Sequence, residues 1–393
     1  MLKMVFDTFY KESDKITFNV KTFADNNLIK EDEIYFKFDK NININDNLLA
    51  IALSTFCGTK FDEIYFDLNL HENIIKGISQ FTQAIVNSNA IDNNEFLAKN
   101  KNKIGLNFSG GFDSLAEKFL LGDLVELISV YFYGNEFNFF KKFKPHILKT
   151  NFRQLGYADN SHLFMAVGSI LYSNFLKLNL HTFGTVFEAY YLHASKEFSS
   201  RKEYRSYPLS FIDIGDIKLI QGMTEIATAL IVCRQYPYLI NDSLISLSMP
   251  QTEKRYRKQI IIKILQEKFN LNNIYMELTP PPTEENRLIF GEDYAIDFLS
   301  LYLIKYGGIE ETNNIMLEIP SEVISFVDKM SLEFYEKFNP NFLNNLPDDV
   351  KKEVIKNLAI AEIYPYDQKD FDELNEVMHL LSNYHPVIKT MFD

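Results

Sequence analysis

Ser109-Gly110-Gly111-Phe112-Asp113-Ser114 is the stretch from which the rest of this chain can be read. Just before it, Ile104, Leu106 and Phe108 alternate with other residues as in a strand. Just after it begins, Phe112, Leu115, Ala116, Phe119 and Leu120 stand at i, i+3, i+4, i+7 and i+8, the spacing of an amphipathic helix. A helix N-terminus presents backbone N–H groups and the positive end of a dipole. Two glycines let the chain turn tightly and bring such groups close to an anion. Ser109 and Ser114 add hydroxyl donors, and Asp113 has the chemistry to hold Mg²⁺ beside phosphates. Strand, glycine turn and helix together predict a phosphate-binding loop. The plainer alternative is a glycine-rich turn in which Asp113 caps a helix.

Working outward, residues 101–250 alternate strand and helix patterns. Strands are expected at 103–108, 125–133, 145–150, 180–184 and 208–213, with helices at 112–121 and 162–178. Such alternation predicts an α/β fold built on a doubly wound, mostly parallel sheet. Residues 1–100 read as a small N-terminal α+β module. It has strands near 16–20, 34–38 and 61–66 and helices near 46–57 and 71–86. Residues 251–393 read as a helical C-terminal region, with the Pro280-Pro281-Pro282 run as a breaker.

Composition narrows the function classes. The 393 residues carry a formal charge of -13, which repels a phosphate backbone, so binding to nucleic acid is not expected. Cys57 and Cys233 are far apart and form no CxxC pair, which fits a reducing compartment. The histidines show no HExxH spacing. The N-terminus lacks the apolar core of a signal peptide, and no window reaches the roughly 18 consecutive apolar residues of a membrane span. A cytoplasmic protein without membrane attachment is expected.

The kind of phosphate loop can be narrowed further. There is no GxxxxGK[ST], so a Walker lysine is missing, and no GxGxxG of a dinucleotide fold. The six residues 109–114 resemble the SGGxDS loop of the PP-loop ATP pyrophosphatases, whose members include GMP synthetase, asparagine synthetase and tRNA-thiolating enzymes. The resemblance implies ATP and Mg²⁺, and a parallel sheet of that superfamily's type. In its chemistry a substrate oxygen attacks the α-phosphate, pyrophosphate leaves, and a nucleophile then displaces AMP. Ser109, Gly110, Gly111, Asp113 and Ser114 would be the phosphate and Mg²⁺ positions, with Asp113 and Ser114 catalytic, and Phe112 at the superfamily's variable position.

Ligands of open parallel sheets sit at the carboxyl ends of strands. Tyr131 and Tyr133 end the strand at 125–133, where the superfamily contacts adenine; buried aromatics are the plainer reading. Gly184 and Thr185 end the strand at 180–184, and Glu188 follows as a second Mg²⁺ ligand, a general base or a simple helix-start acid. Arg153 either neutralises phosphate or is an exposed loop residue. Thr224 is an N-cap ahead of an apolar helix at 226–233. Lys254, Arg257 and Lys258 belong to a basic run that either supplies the missing phosphate-neutralising charge, with Lys254 catalytic, or forms a solvated helix face.

Ser243-Leu244-Ile245-Ser246-Leu247-Ser248 and the run from Glu253 to Lys258 are similar to the C-terminal part of the cyano-deazaguanine synthases. Those enzymes bind zinc through a cysteine cluster ahead of an Arg-Lys pair. This chain keeps Arg257-Lys258 without the cysteines, so zinc is not expected. The resemblance implies a ligase-type synthase that adenylylates a carbonyl or carboxylate oxygen of a small molecule. The alternatives are a nucleotide-binding subunit of a larger assembly such as a bacterial defence system, an enzyme of cell-wall precursors or sugars, and tRNA modification. The helical region would then be a surface for a second copy or a protein partner.

Overall fold

The structure is a computed structural model that describes residues 1–132, 134, 136–199, 207–247 and 249–391. The chain divides into two compact units. The first comprises Met1–Ser109, Leu124–Thr182 and Tyr204–Ile217; the second comprises Gly110–Asp123, Phe183–Glu203 and Lys218–Asp393. The division therefore interleaves the regions 1–100, 101–250 and 251–393, and the loop crosses from one unit to the other between Ser109 and Gly110.

The strands of the first unit are β1 (Leu2–Lys11), β2 (Lys15–Ala24), β3 (Asn27–Phe38), β4 (Glu63–Leu70) and β5 (Ile85–Ile91). They continue with β6 (Lys103–Asn107), β7 (Val125–Tyr131), β8 (His146–Thr150), β9 (Leu178–Thr182) and β10 (Gly215–Asp216). All ten form one sheet in the order β10-β9-β6-β7-β8-β3-β2-β1-β4-β5. Six of its nine neighbouring pairings are parallel. The other three are antiparallel: the meander β1-β2-β3 and the join of β3 to β8. An α/β fold with a large, mostly parallel sheet is thus present. The first hundred residues contribute five strands to that same sheet rather than to a sheet of their own. Asp25 and Asn26, both at positive φ (48° and 67°), turn β2 into β3 in the geometry that two-residue hairpins favour.

One expected strand is corrected. Residues 208–213 form a short, tight helical turn, Leu209–Ile212, and only Gly215–Asp216 pair with the sheet. Pro208 has no N–H for a ladder, and the buried Leu209 and Ile212 recur every three residues rather than every two. The strand expected to 184 ends at Thr182, so Gly184 and Thr185 lie in the following loop.

In chain order the helices are α1 (Asp46–Ser54), α2 (Glu72–Thr82), α3 (Phe112–Leu121), α4 (Glu136–Phe143) and α5 (Val167–Leu176). Next come α6 (Lys196–Ser199), α7 (Glu225–Gln235), α8 (Ile240–Leu247), α9 (Glu253–Phe269) and α10 (Tyr294–Gly307). The last are α11 (Ile309–Thr312), α12 (Ser321–Lys329), α13 (Asp348–Ile360), α14 (Gln368–Ser382) and α15 (Pro386–Lys389). Among the described residues no helix is long and apolar enough to cross a membrane.

The two cores have different characters. In the first unit, alternate residues of β2 and of the last five positions of β3 are buried, and Phe36 packs 5.2 Å from Phe18 and 6.3 Å from Phe56, whose ring lies 4.5 Å from that of Phe152. In the second unit α7 is apolar nearly all round and buried from Glu225 to Cys233, packed by α3 and α9. Asn357 of α13 donates to the carbonyls of Phe119 (3.3 Å) and Leu120 (3.0 Å), satisfying the C-terminal end of α3.

Phe36 is fully buried at the centre of the aromatic cluster. Phe36→Ala is expected to destabilise the protein by about 3–5 kcal/mol in denaturant unfolding; a loss below about 1 kcal/mol would contradict this packing.

Candidate functional site

The loop builds up from Gly110, which is buried and takes φ +78°, a conformation that suits glycine. Gly111 follows in an extended conformation and is the N-cap of α3. Glycine brings no side chain to close the first turn, the condition under which a helix start can receive an anion. The Gly110 carbonyl accepts a 2.7 Å hydrogen bond from Ser243 Oγ of α8. Ser114 is buried and its hydroxyl donates to the Gly111 carbonyl at 3.1 Å. Phe112 is buried as the first residue of α3, and Ser109 is exposed.

Asp113 is half-buried and is held from α7, where Thr228 Oγ1 donates to its Oδ1 at 2.8 Å. Burial pushes the Asp113 carboxyl up, Lys258 opposes this, and Glu225 adds to it. Gly184, at φ +71°, packs so closely that a Cβ there would stand 3.3 Å from Glu117 Oε2 and 3.6 Å from Asp113 Cβ. The loop after β9 therefore reaches Asp113.

Behind the loop lies a buried ionic cluster. Glu225 Oε2 meets Arg257 Nη1 at 2.5 Å, and its Oε1 meets the Lys258 ammonium at 3.1 Å. Arg257 Nε also donates to Glu253 Oε1 at 2.5 Å. Burial alone would push the Glu225 carboxyl up, but Arg257 and Lys258 outweigh it and hold it down at about 2. The Lys258 ammonium sits 4.8 Å over the ring of Phe112, a cation–π contact that ties α9 to the loop. Lys254, one turn earlier on α9, is exposed, and the protein crowding it and the Lys258 charge lower its ammonium. Lys254 has no ion-pair partner among the described residues.

Glu188 is buried. Its Oε1 accepts from the Glu225 N–H at 2.9 Å, and its Oε2 has no hydrogen-bond partner among the described residues. Burial, with the Glu225 and Asp113 charges, pushes its carboxyl up to about 8. Thr224 caps α7, accepting from the N–H groups of Ile226 and Ala227, and donates to the Tyr335 carbonyl at 2.6 Å. Among the described residues no group of three or more His, Cys, Asp or Glu side chains is arranged to hold a metal ion. Cys57 and Cys233 are buried free thiols.

Asp113, Gly184, Glu188, Lys254, Arg257 and Lys258 thus converge within the second unit. Tyr131 and Arg153 belong to the first unit: Tyr131 ends β7, half-buried, and the exposed Arg153 lies 5.6 Å from the centre of the Phe132 ring. Tyr133 lies outside the described residues. Thr185 is half-buried in the loop after β9. Sequence reading passed over Thr228, Glu117 and the Ser243 contact, and treated Glu225 only as part of a helix start. One signal was there: Glu225 and Thr228 are three apart on α7 and so share a face. No family model, curated protein or solved structure matches the chain.

Because Glu188 titrates near 8 in the folded chain against an ordinary 4.5, the folded state holds a proton that the unfolded state gives up. Its contribution makes stability fall as pH rises from about 4.5 to 8, by at most about 1.4 kcal/mol per pH unit. Glu188→Gln is expected to gain on the wild type between pH 5 and pH 8 in urea unfolding; an identical pH dependence would contradict the assignment.

Proposed function

We propose that this chain is an AMP-forming, ATP-consuming enzyme of the PP-loop pyrophosphatase kind, with residues 110–114 gripping the pyrophosphate end of ATP. The observation that carries the reading is the meeting of four sequence-distant features on one loop. These are the glycine-capped start of α3, Asp113 held by Thr228, Gly184 packed beside it, and the cations Lys254 and Lys258 of α9. Lacking a Walker lysine, such a loop takes its positive charge from another helix. Lys254, exposed and without an ion-pair partner among the described residues, is suited to meet phosphate oxygens. Arg257, engaged by Glu225 and Glu253, acts by holding Glu225 ionised rather than by reaching a ligand.

The reaction runs in two steps. A carbonyl or carboxylate oxygen of the second substrate attacks the α-phosphorus, and the bond to the bridging oxygen breaks with its electron pair leaving on pyrophosphate. A nucleophile then attacks the activated carbon and AMP departs. Positive charge fixed beside the leaving group would stabilise the first transition state. Mg²⁺ suits two carboxyls that burial, with the charge of Glu225, pushes up, one of them with a buried oxygen that has no hydrogen-bond partner among the described residues. Asp113 and Glu188 would hold it, and when bound it would neutralise phosphate charge.

Binding is the first test. ATP with Mg²⁺, and inorganic pyrophosphate alone, are expected to raise the thermal midpoint by several degrees at about 100 times Kd. Lys254→Ala is expected to weaken both about tenfold, and Asp113→Asn to remove the Mg²⁺-dependent part of ATP binding. A wild-type protein whose midpoint moves with neither ligand would overturn the proposal.

A further inference from the structure

Helix α8 contacts the first glycine of the loop. Gly110 is at φ +78°, and its carbonyl accepts from the hydroxyl of Ser243, which is fully buried. The next carbonyl, that of Gly111, is held within α3 itself by Leu115 N–H at 2.9 Å and Ser114 Oγ at 3.1 Å. The Gly110 carbonyl is instead held from a separate helix, 133 residues away in sequence.

A peptide flanked by two glycines meets no Cβ on either side, so its plane rotates about the adjoining bonds at little steric cost. Because the unit is planar and trans, turning the carbonyl turns the following N–H with it. A cradle built from backbone N–H groups suits an anion in only one of those orientations. A hydroxyl that holds the Gly110 carbonyl from a separate helix favours one of them. Ile240, Ser243 and Leu244 stand at i, i+3 and i+4 on α8, all fully buried, so the hydroxyl is anchored by apolar neighbours on its own helix face.

We propose that Ser243 is a positioning residue that locks the Gly110–Gly111 peptide in its phosphate-binding orientation. This rests on the loop being a pyrophosphate cradle and adds the device that keeps it formed before ligand arrives. Without the hydroxyl, the peptide divides its time between orientations, and apparent affinity falls by the fraction still competent.

The experiment compares the wild type with Ser243→Ala and with Ser243→Cys, which keeps the volume but donates weakly. Amide exchange over 108–115 is measured without ligand, and inorganic pyrophosphate and ATP are titrated by calorimetry. Ser243→Ala is expected to raise exchange in that segment about tenfold and to weaken both ligands by the same factor, about five- to tenfold. Ser243→Cys is expected to fall between, and it decides the matter if the alanine variant does not fold. Unchanged exchange with wild-type affinities would overturn the proposal. A wild type that binds neither ligand would refute the pyrophosphate reading instead, and the exchange result would then still show whether Ser243 holds the loop.

Discussion

A carboxylate taken out of water costs several kcal/mol unless charge and hydrogen bonds replace its hydration. Glu225 is buried under that constraint, and the second unit is arranged around meeting it. Arg257 and Lys258, adjacent on α9, reach its two oxygens, and Glu253 one turn earlier takes a further donor of Arg257. The backbone N–H of Glu225 is taken by Glu188. Removing Arg257 or Lys258 would leave the buried Glu225 charge short of compensation, and removing Glu188 would leave a buried N–H unpaired, so α7, α9 and the segment at 188 are committed to one another.

The same helix turn that carries Glu225 also carries Thr228, and through it the loop. Thr228 holds Asp113, Lys258 lies over Phe112, and Ser243 holds the carbonyl of Gly110. Three helices thus address three successive parts of a five-residue segment. Packing does the rest: Gly184 has no side chain because Glu117 and Asp113 leave no comfortable room for one. The cost of this crowding is visible in the acids themselves, since burial and the nearby charge of Glu225 push both Asp113 and Glu188 up. A site that raises its own carboxyls in this way is poised to accept positive charge.

What could be read from sequence was what local pattern determines. Helix α3 follows from apolar spacing and matches at both ends, 112–121, and β6 follows from alternation. The join of β3 to β8 could not be read, because pairing across more than a hundred residues leaves no trace in either strand's own alternation. Residues 208–213 misled because a short apolar run fits a strand and a tight helical turn alike. At the site, the glycine-rich loop announced itself by chemistry, and the basic run on α9 by charge. That Arg257 would be engaged by Glu225 and Glu253 while Lys254 stays at the surface depends on which face of α9 turns inward, a property of packing partners far away in sequence.

If the loop grips pyrophosphate while the α-phosphate reacts, the identity of the products shows it. The full-length protein would be incubated with ATP, Mg²⁺ and a deproteinised cell extract as the source of the second substrate, and the phosphorus products followed by ³¹P NMR. AMP and pyrophosphate are expected in equal amounts, formed only when the extract is present and lost in Asp113→Asn. ADP and inorganic phosphate as the products would contradict it.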